Sequence, residues 1–262
     1  MRFRALCLLL IAVAGICAGT AHAAGSTSVY QVWFQRGGKL WLAKREQPAT
    51  VTPVRAAVQA MLAGPTTAES GAGVTTAVPS GSALSSLSVA NGTATVDLSA
   101  EYAASATPAA AWMRLAQLTY TLTQFAAVDR VALRVGGRAA SSLAGVAVPQ
   151  PMTRSTFRSL LPVITVWNPQ IGSTLTGSVR VSGDAQVFAG HVHVQILNQA
   201  GVTLATRSVT AGCTLSCRGG YTVLVPFSVP VDQLGTIVVS DDDTDGNGVP
   251  QHRVRVPVVL LA

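Results

Sequence analysis

Between Leu84 and Val135 the spacing of apolar positions changes twice, and each change marks an element. Asn91-Gly92 is the dipeptide favoured by a two-residue hairpin turn whose central residues need positive φ. That turn pairs Leu87 with Val96 and Val89 with Ala94 on one face, and Ser88 with Thr95 and Ser86 with Asp97 on the other. One face is apolar and one polar, as in a half-buried antiparallel pair. The period then lengthens: Ala111, Leu115, Leu118, Leu122 and Phe125 form one stripe, with Arg114, Gln117 and Gln124 opposite. Thr107 is placed to cap this helix and Pro108 to open it. Val131, Leu133 and Val135 return to alternation and predict a strand beside the hairpin.

The same reading organises the rest of the chain. Ser28 to Arg36 and Lys39 to Arg45 are strand-like runs separated by Gly37-Gly38, with no readable register. A short helix follows, with Thr52 as cap, Pro53 first, Val54, Val58, Met61 and Leu62 on one side, and Gly64-Pro65 ending it. Residues 66–82 read as a loop, and 138–159, rich in Ala, Ser and Pro, as a peripheral excursion. This order predicts a two-layer α/β domain with both helices on one face of a sheet. From Leu160 only short alternating segments remain, seven in about 100 residues, beginning at Val163 and ending at Leu261. They predict an all-β sandwich. The expected division is therefore a leader at 1–23, an α/β (α+β) domain at 28–158 and a sandwich at 160–262.

Several stretches carry a family resemblance. Ala63-Gly64-Pro65, Ala77 to Gly81, Ala94 to Ser99 and Leu118 to Phe125 together resemble the GerMN domain of sporulation and germination proteins. Met152-Thr153-Arg154 resembles the element that ends that domain. The resemblance implies a small α/β domain outside the membrane, related to ring-building folds of envelope assemblies, with no known catalytic role. Ile164 to Pro169, Val181 to Phe188 and Val256-Pro257-Val258 resemble the immunoglobulin-like domain that follows GerMN in spore-germination proteins. Its relatives usually carry an acidic residue where this chain has Ala189.

Composition locates the protein. Arg2 and Arg4, an apolar run from Ala5 to Ala18 and Ala21-His22-Ala23 describe a secretory signal peptide cleaved after Ala23, too short for a comfortable membrane span. Lipidation at Cys17 and a retained anchor are the alternatives; Ile16 disfavours the first. Without residues 1–23, sixteen basic and eleven acidic residues remain, a formal charge of +5. The arginines are scattered along the chain with little aromatic interleaving, which argues against nucleic acid. Weak attraction to anionic wall polymers or lipid headgroups fits the charge.

Candidate chemistry is sparse. Cys213 and Cys217, close together in a Gly-rich connection of an exported chain, read as a disulfide. Asp241, Asp243 and Asp245, with Gly246, have the spacing of the first half of a calcium loop, but His252 stands where a bidentate Glu belongs. A solvated acidic turn is the competing account. His191 and His193 share one face of a strand, as a two-histidine metal site or as an exposed pair. No nucleophile motif has a usable histidine, since His22 lies in the expected leader and residues 28–158 contain none, and the Gly-Gly pairs lack a nucleotide-binding context. The sequence thus predicts an exported, non-enzymatic envelope interaction or assembly protein without a cofactor. Its partners would be envelope proteins or cell-wall polymer, with self-assembly through the GerMN-like domain. The alternatives are a calcium-dependent extracellular binding protein and a cell-wall hydrolase.

Overall fold

The computed structural model describes residues 26–214, 217–242 and 249–262. The expected leader, with Cys17, and the candidate ligands Asp243 and Asp245 lie outside the described residues. No helix among the described residues is long and apolar enough to cross a membrane.

The chain opens with a hairpin of β1 (Thr27–Arg36) and β2 (Lys39–Pro48), closed by Gly37 and Gly38 at φ 58° and 73°. Its register pairs Phe34 with Trp41 and Val32 with Ala43. Helix α1 (Pro53–Leu62) follows; Thr52 precedes it but makes no side-chain cap, its own N–H instead bonding Thr50 Oγ1. The expected loop at 66–82 contains a short helix, α2 (Thr67–Gly71), closed by a reciprocal capping box of Thr66 and Glu69. The Thr-x-x-Glu signature of that box is present in the sequence.

Strands β3 (Leu84–Ala90) and β4 (Thr93–Leu98) form the central hairpin, with Leu87 against Val96 and Ser86 against Asp97 as the alternation predicts. Asn91 and Gly92 take φ 49° and 73°. Gly92 is required twice over, because a Cβ there would lie 2.4 Å from Asp129 Oδ2. Helix α3 (Pro108–Leu122) is capped by Thr107 Oγ1, which accepts from Ala110 N at 3.2 Å. It crosses to β5 (Arg130–Val135), which pairs parallel with β4.

The side of α3 opposite its apolar stripe is also buried. The β1–β2 hairpin does not join the β3–β4–β5 sheet; it lies across that side of the helix. Gln117 is fully buried, and Arg114 is only 3% exposed. Polar side chains survive there because they bond backbone that a neighbouring strand would otherwise satisfy. Gln124 both accepts from Gln31 N (2.7 Å) and donates to Gln31 O (2.6 Å). Thr121 Oγ1 accepts from Trp33 N and Gln117 Nε2 donates to Trp33 O, at 3.1 and 3.0 Å. Residues 117, 121 and 124 thus act as a comb that holds β1 to the helix. Arg114, with no carboxylate partner, donates to the carbonyls of Ala77, Tyr102 and Ala104.

The second half consists of β6 (Ile164–Asn168), β7 (Ser178–Ala185), β8 (His191–Leu197), β9 (Thr203–Thr210), β10 (Gly219–Pro226), β11 (Gln233–Ser240) and β12 (Arg253–Leu261). One layer runs β9–β8–β11–β12 and the other β6–β7–β10, joined through the short segment Thr174–Thr176. Val192, Val194, Ile196, Val225, Ile237 and Val256 fill the space between them. At Ser182/Gly183 the β6–β7 register shifts, and a Cβ on Gly183 would lie 1.9 Å from Thr165 O. The first core extends to Leu160 and Leu161 and the second begins at Val163, while Trp41 and Ile171 pack against both.

Candidate functional site

Two cavities flank the segment that joins the two cores: Leu161 lines one and Pro162 the other. The first, about 470 Å³, takes Arg154 and Arg158 from the first domain and Arg218 from the second. Asp184 is the one acid on its wall among the described residues. The second, about 320 Å³, is bordered by Arg36 and Lys39 at the β1–β2 turn and by Arg253 and Arg255 on β12, with no acid among the described residues. Seven of the sixteen basic residues beyond residue 23 therefore line the two cavities at this junction, with a single carboxylate among the described residues. Scattered in sequence, they are concentrated in space. Nothing in local spacing could reveal this, since the residues come from four segments separated by 35 to 115 positions.

Each element places its cations for a structural reason. The Gly37-Gly38 turn carries Arg36 across the junction, where Nη1 donates to Arg255 O (2.6 Å) and the guanidinium lies 4.8 Å from the Trp41 ring. Lys39 Nζ donates to Ser159 O at 2.7 Å, and Lys44 N to Gln170 Oε1 at 3.0 Å. The Arg36 and Lys44 bonds tie the two domains together, and the Lys39 bond fastens the β1–β2 turn to the end of the first domain. Burial lowers the pKa of Arg36 and of Arg154 from the usual guanidinium value, and both remain cations at any physiological pH. Arg154 donates to Thr123 Oγ1 and Tyr120 O and stacks 4.9 Å from the Tyr120 ring.

Arg218 follows a tight loop. Cys213 and Cys217, with Cα atoms 5.8 Å apart, are disulfide-bonded, and Gly212 N donates to Gly220 O. Gly219 packs so closely that a Cβ would lie 2.3 Å from Cys213 N. The guanidinium turns back to Asp184, Thr165 Oγ1 and Pro162 O. Arg158 is exposed, and its guanidinium makes no hydrogen bond or ion pair among the described residues. Burial raises the pKa of the Tyr120 hydroxyl, while Arg154, Arg218 and Arg158 act to lower it and Asp184 to raise it.

The histidine and aspartate candidates gather elsewhere, at one end of the sandwich. His191 Nδ1 and His193 Nε2 meet the two carboxylate oxygens of Asp242 at 2.8 and 2.5 Å, and Ser208 Oγ meets His193 Nδ1 at 2.8 Å. The bonds from His193 and His191 hold the Asp242 carboxyl below its ordinary value. Asp241 is engaged by His252, through the backbone N–H at 2.8 Å and Nδ1 at 2.6 Å. The sequence did not pair these aspartates with histidines, which lie up to 51 positions away. Among the described residues, no group of three or more His, Cys, Asp or Glu side chains could hold a metal ion. Phe188, the last residue of the middle immunoglobulin-like motif, is 77% exposed beside this cluster, and Ala189 follows at φ 53°.

Arg45 and Glu69 form a bidentate pair at 2.8 and 2.6 Å that fastens β2 to α2. Tyr102 is fully buried with its hydroxyl donating to Arg114 O. Asp97 accepts from Gly137 N at 3.0 Å. These groups hold turns and strand ends in place.

Residues 25–141 match the family model described as sporulation and spore germination, and residues 163–247 match that of the immunoglobulin-like domain of bacterial spore germination. Among solved structures, the first GerMN domain of the sporulation protein GerM from Bacillus subtilis aligns at 19% identity. It covers 49% of this chain and 98% of that one, with a TM-score of 0.41. The tandem GerMN domains of the same protein align at 14% identity over 90% of this chain and 61% of that one, with a TM-score of 0.44. A search of curated proteins finds no match. By its two matches in this order, the chain is a GerMN-type domain followed by an immunoglobulin-like domain of the bacterial spore-germination type.

Proposed function

We propose that this protein is an exported, non-enzymatic interaction protein of the bacterial envelope, and that its junction binds an anionic cell-wall polymer. The observation that carries this reading is that, among the described residues, seven cations and one carboxylate line the two cavities beside the segment between the domains. A local excess of positive charge costs self-repulsion, which a polyanion relieves while gaining steered association. The two spore-germination family matches support an envelope setting, and the leader expected at 1–23 supports export.

A second reading, protein partners, is favoured by β3. This seven-residue strand lies at the edge of its sheet, is mostly exposed, and carries neither charge nor proline to block pairing with another strand.

The test is incubation of the intact protein with isolated cell wall, followed by sedimentation and analysis of the supernatant. Sedimentation with the wall at low salt, release as salt rises, and no soluble muropeptides are expected. Release of muropeptides would replace this reading with the hydrolase. Failure to sediment at any salt would leave the β3 reading, checked by a photo-crosslinking residue at Ser86.

A further inference from the structure

Resting on the polymer-binding reading, we propose that the anchor of the ligand is a phosphate ester, held between the two domains by Arg154, Arg158 and Arg218.

The cavity has the right charge and the right unspent donors. Its three guanidiniums face one carboxylate, a local excess of two positive charges. Asp184 and the Pro162 and Thr165 oxygens already hold Arg218, which lines the cavity. Arg154 spends Nε and Nη2 on Thr123 and Tyr120. Arg158 spends none of its five donors. A single planar carboxylate is fully served by one guanidinium fork. Cations arriving from a 3-10 segment (Arg154–Leu160) and from a strand end on another domain suit a tetrahedral anion, which offers acceptors in several directions. Ser155 adds a hydroxyl on the same wall. At about 470 Å³ the cavity has room for a phosphate with a sugar or glycerol attached.

Two arginines come from the first domain and one from the second, so the bound phosphate acts as a clasp. Ligand binding should then couple the unfolding of the two domains.

Isothermal titration of the intact protein with sn-glycerol 3-phosphate, glycerophosphoglycerol and glucuronate, at low salt, tests this. The first two probes separate a monoester from a diester source, and the third supplies a carboxylate on a similar frame. Binding of at least one phosphate ester, weakened about tenfold or more in Arg158→Ala and unchanged in Arg207→Ala, is expected. The Arg158 guanidinium bonds nothing among the described residues, and Arg207 is exposed on β9, so both variants should fold. The ester should also raise the melting temperature of the wild type and bring its two domains into one transition. Absence of ester binding, equal binding by Arg158→Ala, or a preference for glucuronate overturns the proposal. Wall binding that survives in Arg158→Ala, uncompeted by glycerol phosphate, would defeat the phosphate anchor and leave the polymer reading standing. Ester binding without wall binding would do the reverse.

Discussion

Replacing Gln117 by Leu should separate the β1–β2 hairpin from helix α3 at its most buried attachment. Leu nearly matches the volume of Gln, so packing is preserved and only the amide is lost. Two backbone groups lose their partner: Trp33 O, bonded at 3.0 Å, and Ala77 N, bonded at 2.8 Å. Each buried polar group left unpaired costs about 1–3 kcal/mol. Trp33 is 3% exposed and should sit near the top of that range, while half-buried Ala77 can recruit water and should sit near the bottom. Burying Leu in place of an amide returns about 1 kcal/mol, which leaves a net loss of about 2–4 kcal/mol. For a domain of this size that lowers the melting temperature by about 6–12 °C. Urea and thermal unfolding followed by tryptophan fluorescence read it directly, since Trp33, Trp41 and Trp112 all lie in this domain. Gln124→Leu, at the half-buried end of the comb, should cost less, about 1 kcal/mol. A loss below about 0.5 kcal/mol in Gln117→Leu, or a larger loss in Gln124→Leu, would refute the comb as the device that holds the hairpin.

Other outcomes follow from the same structure. Gly183→Ala should destabilise the sandwich by about 3 kcal/mol or more in chemical denaturation, since the new Cβ meets Thr165 O and the Tyr221 hydroxyl that bonds it. Burial alone would raise the Glu69 carboxyl, but its bonds with Arg45 and Thr66 prevail and hold it below its ordinary value of 4.5. A carboxyl lowered in the fold contributes stability that is complete above its unfolded pKa and is lost as pH falls through the folded one. Stability should therefore decline on acidification below pH 4.5, and Glu69→Gln, weaker at neutral pH, should show less of that decline in pH-dependent urea titrations. Reduction of the Cys213–Cys217 bond should cost the sandwich about 2 kcal/mol, as expected for so short a closed loop, with Trp167 fluorescence as the probe.

The central hairpin and α3 were legible because each is fixed by local chemistry. Asn91-Gly92 dictates the turn, the turn dictates the register, and Thr107-Pro108 marks the start of the helix. The far side of α3 was not legible: Gln117 and Gln124 are polar at helical spacing, and polar spacing alone does not distinguish water from the backbone of a distant strand. Helix α2 carried its signature in Thr66 and Glu69, obscured by the Ser, Gly and Thr around it. The register of the first hairpin needed Gly37-Gly38 to be taken as a two-residue turn, after which Phe34 falls opposite Trp41. The junction is the extreme case, because Arg158 meets Arg218 in one cavity, and Arg36 meets Arg255 in the other, only through the packing of the two domains.

The most direct measurement is the affinity of the intact protein for isolated cell wall with charge reversed at two sets of positions. Arg158→Glu with Arg255→Glu should weaken binding at least tenfold at low salt, and Arg130→Glu with Arg207→Glu, equal in net charge but remote from the junction, should weaken it far less. Equal losses from the two pairs would mean that net charge alone drives binding, and the junction would have no special role.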